Sequence, residues 1–212
     1  GRRAAADAVA RAVLGASSWL GVAVALPALL APVPLLRALN APVEVLPLAA
    51  PLLMVLAPAM LLDAWNASMT AVMRAHLHAR DTLAVMVAMH LVHLALMGPL
   101  MFGLGAWPGF GLPGFAVAVI VSRFVAIGLH LWLWRLRLAL VPRWADLWRL
   151  PRAELAAVAR IGLPGAAENI AWRLGFMVSV AVVGGLGAAA LATHAYVMQV
   201  IMVVLLFGLA TG

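Results

Sequence analysis

The sequence has no cysteine and no lysine, and charged residues make up only 10% of its 212 positions. Without cysteine, neither a disulfide scaffold nor a thiolate metal site can form, and the redox compartment is left open. Without lysine there is no P-loop. The glycines of Gly103-Leu-Gly105 and Gly109-Phe-Gly111 stand beside prolines as turn residues, so the sequence argues against direct ATP hydrolysis. Ser17, Ser18, Ser68, Ser122 and Ser179 lack a nucleophile elbow, which leaves hydrolytic chemistry without support. A soluble domain carries about a quarter charged residues because its surface faces water. Water is therefore not the main solvent of this chain.

What fills the sequence is apolar: 67% of the residues are hydrophobic. The 25 uncharged residues between Arg11 and Arg37 exceed the roughly 20 needed to cross a bilayer, and the uncharged stretch 174–212 suffices for most of two crossings. Hydropathy predicts six membrane helices, at 12–36, 45–73, 83–104, 115–136, 163–186 and 188–211. Turn residues separate them: Asn40 and Pro42, the stretch 76–82, Pro108 and Pro113, and the glycines at 184–187. Sequential helices are thus expected to be antiparallel neighbours. Pro27, Pro58 and Pro99 fall inside spans, either as kinks around a cavity or simply as common residues of membrane helices. The fold class is all-α, a polytopic membrane helix bundle. No cleavable signal stands at Gly1-Arg2-Arg3, and the chain reads as an internal piece of something longer.

All 14 basic residues are arginines, and the formal net charge is +7. Their placement at helix ends, not along one stripe, argues against a nucleic-acid partner. One side collects Arg2, Arg3, Arg11, Arg74, Arg80 and six arginines of the segment 135–162, while the opposite loops hold Arg37. The positive-inside rule makes the arginine-rich side cytoplasmic. Segment 135–162, which also carries Trp144, Asp146, Trp148 and Glu154, reads as an interfacial amphipathic linker. It divides the chain into residues 1–134 with four spans and residues 163–212 with two.

Within the spans the remaining charges are Asp63, Arg123, Glu168 and Arg173. Each costs roughly 2.5 to 3.5 kcal/mol at a helix centre, so each should face protein or a watery cavity. Asn66 lies three residues after Asp63 on the same helix face. A carboxylate with an amide carbonyl suits sodium, and a desolvated carboxylate suits a proton. The competing reading is a packing hydrogen bond between helices. Glu168 and Asn169 follow Pro164 by one turn and either cap that helix or form an acidic mouth to a cavity, with Arg173 able to neutralise Glu168 or Asp63. His90 and His93, at i and i+3, can relay a proton or ligate a metal, but no third ligand is evident and ordinary interhelical hydrogen bonding is the favoured reading. His130 and His194 are isolated.

Four places in the sequence carry a resemblance. Residues 103–123, GLGAWPGFGLPGFAVAVIVSR, are similar to the approach to the sixth helix of multidrug and toxic-compound extrusion (MATE) transporters. IGLPGAAEN at 161–169 and VVGGLGAAALATHAYVMQV at 182–200 resemble the start of that family's second lobe, and Arg74, Ala75 and Arg80 resemble the turn after its fourth helix. The resemblance implies two six-helix lobes, of which this chain supplies family helices three to eight, joined by the arginine linker. Members export cationic amphipathic compounds by alternating access against an inward flow of protons or sodium. Where many members have an Asn and an acid in the fifth helix, this chain has His93 and Met97. Where many have a Glu two turns after the proline it has Trp172, while Glu168 matches the Glu-Asn of another branch.

The sequence thus points to a secondary antiporter of a bacterial inner membrane that exchanges protons or sodium for an organic substrate. Asp63, Asn66, His90, His93, Glu168, Asn169 and Arg173 are the candidates for cation coupling or substrate binding. No catalytic residue, cofactor or metal is expected. The partners are a small molecule, the coupling cation, membrane lipid and the remainder of the transporter. The alternatives are a lipid-linked saccharide flippase, for which the spans offer only Arg123 and Arg173 as cationic lining, a membrane-embedded metal-dependent enzyme, and a passive assembly subunit.

Overall fold

The computed structural model describes residues 2–105 and 107–211; Gly1, Ala106 and Gly212 lie outside the described residues. The helices are α1 (Arg2–Leu30), the short α2 (Pro32–Ala38), α3 (Leu46–Ala75), α4 (Ala79–Phe102), α5 (Leu112–Leu133), α6 (Arg152–Gly184) and α7 (Ala188–Thr211). Among the described residues there is no strand, only an isolated bridge between Leu104 and Trp107. Six helical stretches are long and apolar enough to cross a membrane: Arg3–Leu30, Val43–Ala75, Ala79–Phe102, Leu112–Leu138, Gly162–Gly184 and Ala188–Leu205. The all-α, six-span expectation holds.

Two boundaries differ from those expected. The first span begins earlier and ends at Leu30, because Ala31 precedes Pro32 and is forced out of the helical region, with φ −136° and ψ 49°. The fifth span, Gly162–Gly184, lies close to the expected 163–186, but the helix that carries it starts earlier. Helix α6 begins at Arg152 and carries Pro164 in its interior, since the stretch RAELAAVAR is rich in strong helix formers and starts the helix before the proline is reached. The segment 135–162 is accordingly a π-turn at Trp134–Leu138, a 3₁₀ turn at Trp144–Leu147 and the first turns of α6.

The chain divides into two compact units, Gly1–Leu30 with Leu52–Leu163, and Ala31–Pro51 with Pro164–Gly212. In the first, α4 and α5 form an extensive helix pair. Gly114 permits it: a Cβ there would overlap the backbone carbonyl of Leu100. Close backbone approach of this kind supplies the van der Waals contact that holds helices together in lipid, where apolar side chains gain nothing by leaving the tails. Fully buried Trp134 centres a core with Leu14, Met69, Met73, Val85, Ala126 and Leu133, and its indole N–H reaches the Met69 carbonyl at 3.4 Å.

The turn Trp144–Leu147 is docked on α1. The Arg11 guanidinium meets the Asp146 carboxylate at 2.6 Å, the Trp19 indole N–H donates to the Trp148 carbonyl at 3.1 Å, and Gly15 leaves no room for a Cβ beside the Arg149 carbonyl. Burial pushes the Asp146 carboxyl up, but the Arg143 backbone N–H, the Arg11 hydrogen bond and charge, and the Arg149 charge outweigh it and hold it below its ordinary value. In the second unit, the Asn40 side chain donates to the Ala181 carbonyl at 3.1 Å. The α6 to α7 turn uses Gly187 at φ 103°. A groove between these two helices, about 440 Å³ in volume, is lined by Trp172, Phe176, Met198 and Met202 among others.

Two outcomes are expected. Gly114→Ala should lower the thermal midpoint of the full-length protein in detergent, by an overpacking cost of about 1 to 3 kcal/mol. Gly128→Ala, on the same helix with nothing within 4 Å of the added methyl, should not. Because the folded Asp146 carboxyl titrates below its ordinary value of 3.8, its contribution is complete above that value and is lost as pH falls through the folded one. The thermal-midpoint gap between wild type and Asp146→Asn should therefore stay constant near neutrality and shrink progressively below about pH 5.

Candidate coupling site between α3 and α5

On α3, Asp63, Asn66 and Thr70 are spaced i, i+3 and i+7, and on α5, Arg123 and His130 are spaced i and i+7. Each set forms one stripe on its helix. The two stripes face each other. Arg123 Nε donates to Asp63 Oδ1 at 2.7 Å, with the Arg123 side chain 18% exposed and the Asp63 side chain 52% exposed. One turn along α3, the Asn66 amide nitrogen donates to the carbonyls of Leu62 at 3.1 Å and Arg123 at 3.2 Å. Its Oδ1 lies 3.2 Å from His130 Nδ1, and His130 Nε2 lies 3.2 Å from the Thr70 hydroxyl. Asn66, His130 and Ser122 are all buried. The Ser122 hydroxyl donates to the Val119 carbonyl at 2.7 Å and receives a weaker contact from Arg123 Nη1 at 3.4 Å.

Such a seam satisfies its own polar groups. Asn66 has two N–H donors and both are used, while its carbonyl oxygen accepts from the imidazole. The arrangement differs from the sodium chelate that the Asp63 and Asn66 spacing suggests, since Asp63 already holds a cation and the Asn66 carbonyl is occupied. Arg123, not Arg173, neutralises Asp63. Three participants, Arg123, His130 and Thr70, were not among the sequence candidates for coupling or binding. For His130 and Thr70, spacing from Arg123 and Asn66 was the available signal.

The other candidates are not brought into this seam. On α4, His90 is exposed, and His93 packs its ring edge-on against Phe115 at 5.4 Å, with Nδ1 buried and without a hydrogen-bond partner among the described residues. The described residues contain no group of three or more His, Asp or Glu side chains able to hold a metal ion. Glu168, Asn169 and Arg173 are exposed along α6, and the Asn169 amide makes a long contact to the Gly165 carbonyl at 3.5 Å. No ion pair joins Glu168 and Arg173 among the described residues. Glu168 does not begin its helix, so it is not an N-terminal cap.

No family model matches the chain, and no solved structure matches it significantly. The chain is 25% identical over 202 residues to a curated protein of Bacillus subtilis (strain 168) named "Uncharacterized transporter YisQ", covering 95% of this chain and 44% of that protein. It thus spans less than half the length of the relative it matches. Six membrane-length helices together with similarity to a transporter define an integral multi-pass membrane protein, and they support a transport role.

A double-mutant cycle should detect the ion pair. Arg123→Gln alone strands the Asp63 carboxylate and should destabilise the full-length protein more than Arg123→Gln combined with Asp63→Asn. The coupling read from thermal unfolding should be about 1 kcal/mol, the scale of interhelical polar contacts in membrane proteins.

Proposed function

We propose that this chain is the central portion of a secondary antiporter of the MATE family, which exports organic cations in exchange for protons or sodium across a bacterial inner membrane. The observation that carries the proposal is the Asp63–Arg123 pair, a carboxylate and a guanidinium held 2.7 Å apart on helices of membrane-spanning length. Similarity to a transporter over 95% of the chain supports the same reading, as do the ordered family motifs at 103–123, 161–169 and 182–200. In this reading the arginine-rich ends face the cytoplasm, residues 1–134 close the first lobe, residues 163–212 open the second, and 135–162 join them.

The chemistry of exchange follows from competition. Half of the Asp63 side chain is exposed while one of its oxygens is bound to Arg123. A proton or sodium ion arriving at the free edge neutralises the carboxylate and loosens its hold on Arg123. An organic cation seeks the same negative charge. One carboxylate cannot satisfy both, so each ligand weakens the binding of the other, and by linkage the effect is reciprocal. Glu168, Asn169 and Arg173, exposed along α6, are further candidates for binding the substrate, and the groove of Trp172, Phe176, Met198 and Met202 within the second unit offers an apolar surface suited to an amphipathic compound. His90 and His93 on α4 are further candidates for carrying the coupling proton.

Asp63→Asn in the full-length protein should reduce efflux of a fluorescent organic cation at least about tenfold and remove its dependence on pH or sodium. Glu168→Gln should raise the KM for the substrate. Efflux and ion dependence that survive both substitutions would sink the coupling reading. Scrambling of a labelled lipid-linked saccharide in place of cation efflux would replace it with a flippase.

A further inference from the structure

The His130 imidazole is 1% exposed, and both of its nitrogens are engaged by α3. Its role follows from the chemistry of its partners. The Asn66 amide nitrogen faces two carbonyl oxygens, those of Leu62 and Arg123, and this fixes which end of the amide is which. The atom turned to the imidazole is therefore Oδ1, which can only accept. Nδ1 must carry the proton, and Nε2 meets a hydroxyl that can donate or accept as required.

On this basis, and resting on the coupling role given above to Asp63, we propose that His130 is a positioning residue for the Asp63–Arg123 pair, acting through Asn66. The chain of contacts is continuous. His130 Nδ1–H orients the Asn66 amide, that amide binds the backbone carbonyl of Arg123, and the Arg123 side chain reaches back to Asp63. Each link crosses between α3 and α5, so together they set the register of the two helices at the ion pair. Without the Nδ1 donor, the Asn66 carbonyl is left buried with no partner, and the amide can turn over to place a donor against the imidazole. The Arg123 carbonyl then loses its donor, and the guanidinium loses its fixed base. Titration of His130 is not part of this role, because Nδ1 keeps its proton whether or not Nε2 gains one.

Two amide substitutions separate the alternatives. The side-chain nitrogen of Asn can occupy the place of Nδ1, and that of Gln the place of Nε2. In the full-length protein, His130→Asn keeps the donor to Asn66 and should leave the KM for the exported cation, and the pH profile of efflux, within about twofold of wild type. His130→Gln keeps only the Thr70 contact and should raise that KM by roughly tenfold, the upper range for one interhelical hydrogen bond. The ¹⁵N spectrum of histidine-labelled protein should show His130 protonated at Nδ1.

A proton on Nε2 with Nδ1 bare overturns the proposal. So does a Gln variant that works while the Asn variant fails. If both variants flatten the pH profile, His130 is a proton carrier and the positioning role is wrong. The tautomer is read without a transport assay. Failure of the coupling reading, with Asp63→Asn inert, is thereby distinguishable from failure of this one.

Discussion

A carboxylate and a guanidinium placed in helices that water does not surround must find partners within the protein, and most of the first unit is consistent with that requirement. Asp63 and Arg123 answer each other across α3 and α5. Around them, every polar group on the facing stripes has a neighbour: Asn66 bonds two carbonyls and an imidazole, and Ser122 bonds Val119. In water these contacts would exchange with solvent for little net gain. In an apolar surrounding the alternative is an unsatisfied dipole, and the cost of that alternative pins the two helices in one register.

Packing supports the seam from outside. Apolar side chains are as well solvated by lipid tails as by each other, so helix association depends on how closely backbones can approach. Gly114 brings α5 against the end of α4, and Gly21 brings α1 within contact of Leu61 on α3. A different device holds the turn Trp144–Leu147. The Arg11–Asp146 pair and the Trp19 indole tie that turn to α1 through charge and directed hydrogen bonds.

Much of this was legible in the chain. Span number, turn positions and the short list of intramembrane charges follow from hydropathy and from the cost of burying a charge. Asp63 and Asn66 were visible as neighbours because helical spacing is local information. The partners Arg123 and His130 lie 60 and 64 residues away from Asp63 and Asn66 respectively, and nothing in spacing says which stripe on which helix will face α3. Glu168 illustrates the opposite error. Its position after Pro164 suggested a helix start, yet the favourable run from Arg152 carries the helix through the proline.

By itself the sequence determined the solvent. Long apolar runs, the rarity of charge and the clustering of arginines at helix ends leave a membrane as the place where these helices are stable, because each of those properties is a sum over local residues. The tertiary structure alone decided the use of the few polar groups. It paired Asp63 with Arg123, turned the Asn66 carbonyl toward His130 and left His93 Nδ1 without a partner among the described residues. The reason is physical: a polar side chain in an apolar helix has to be satisfied by something, but its own helix does not specify by what. Only the approach of a second helix supplies the answer.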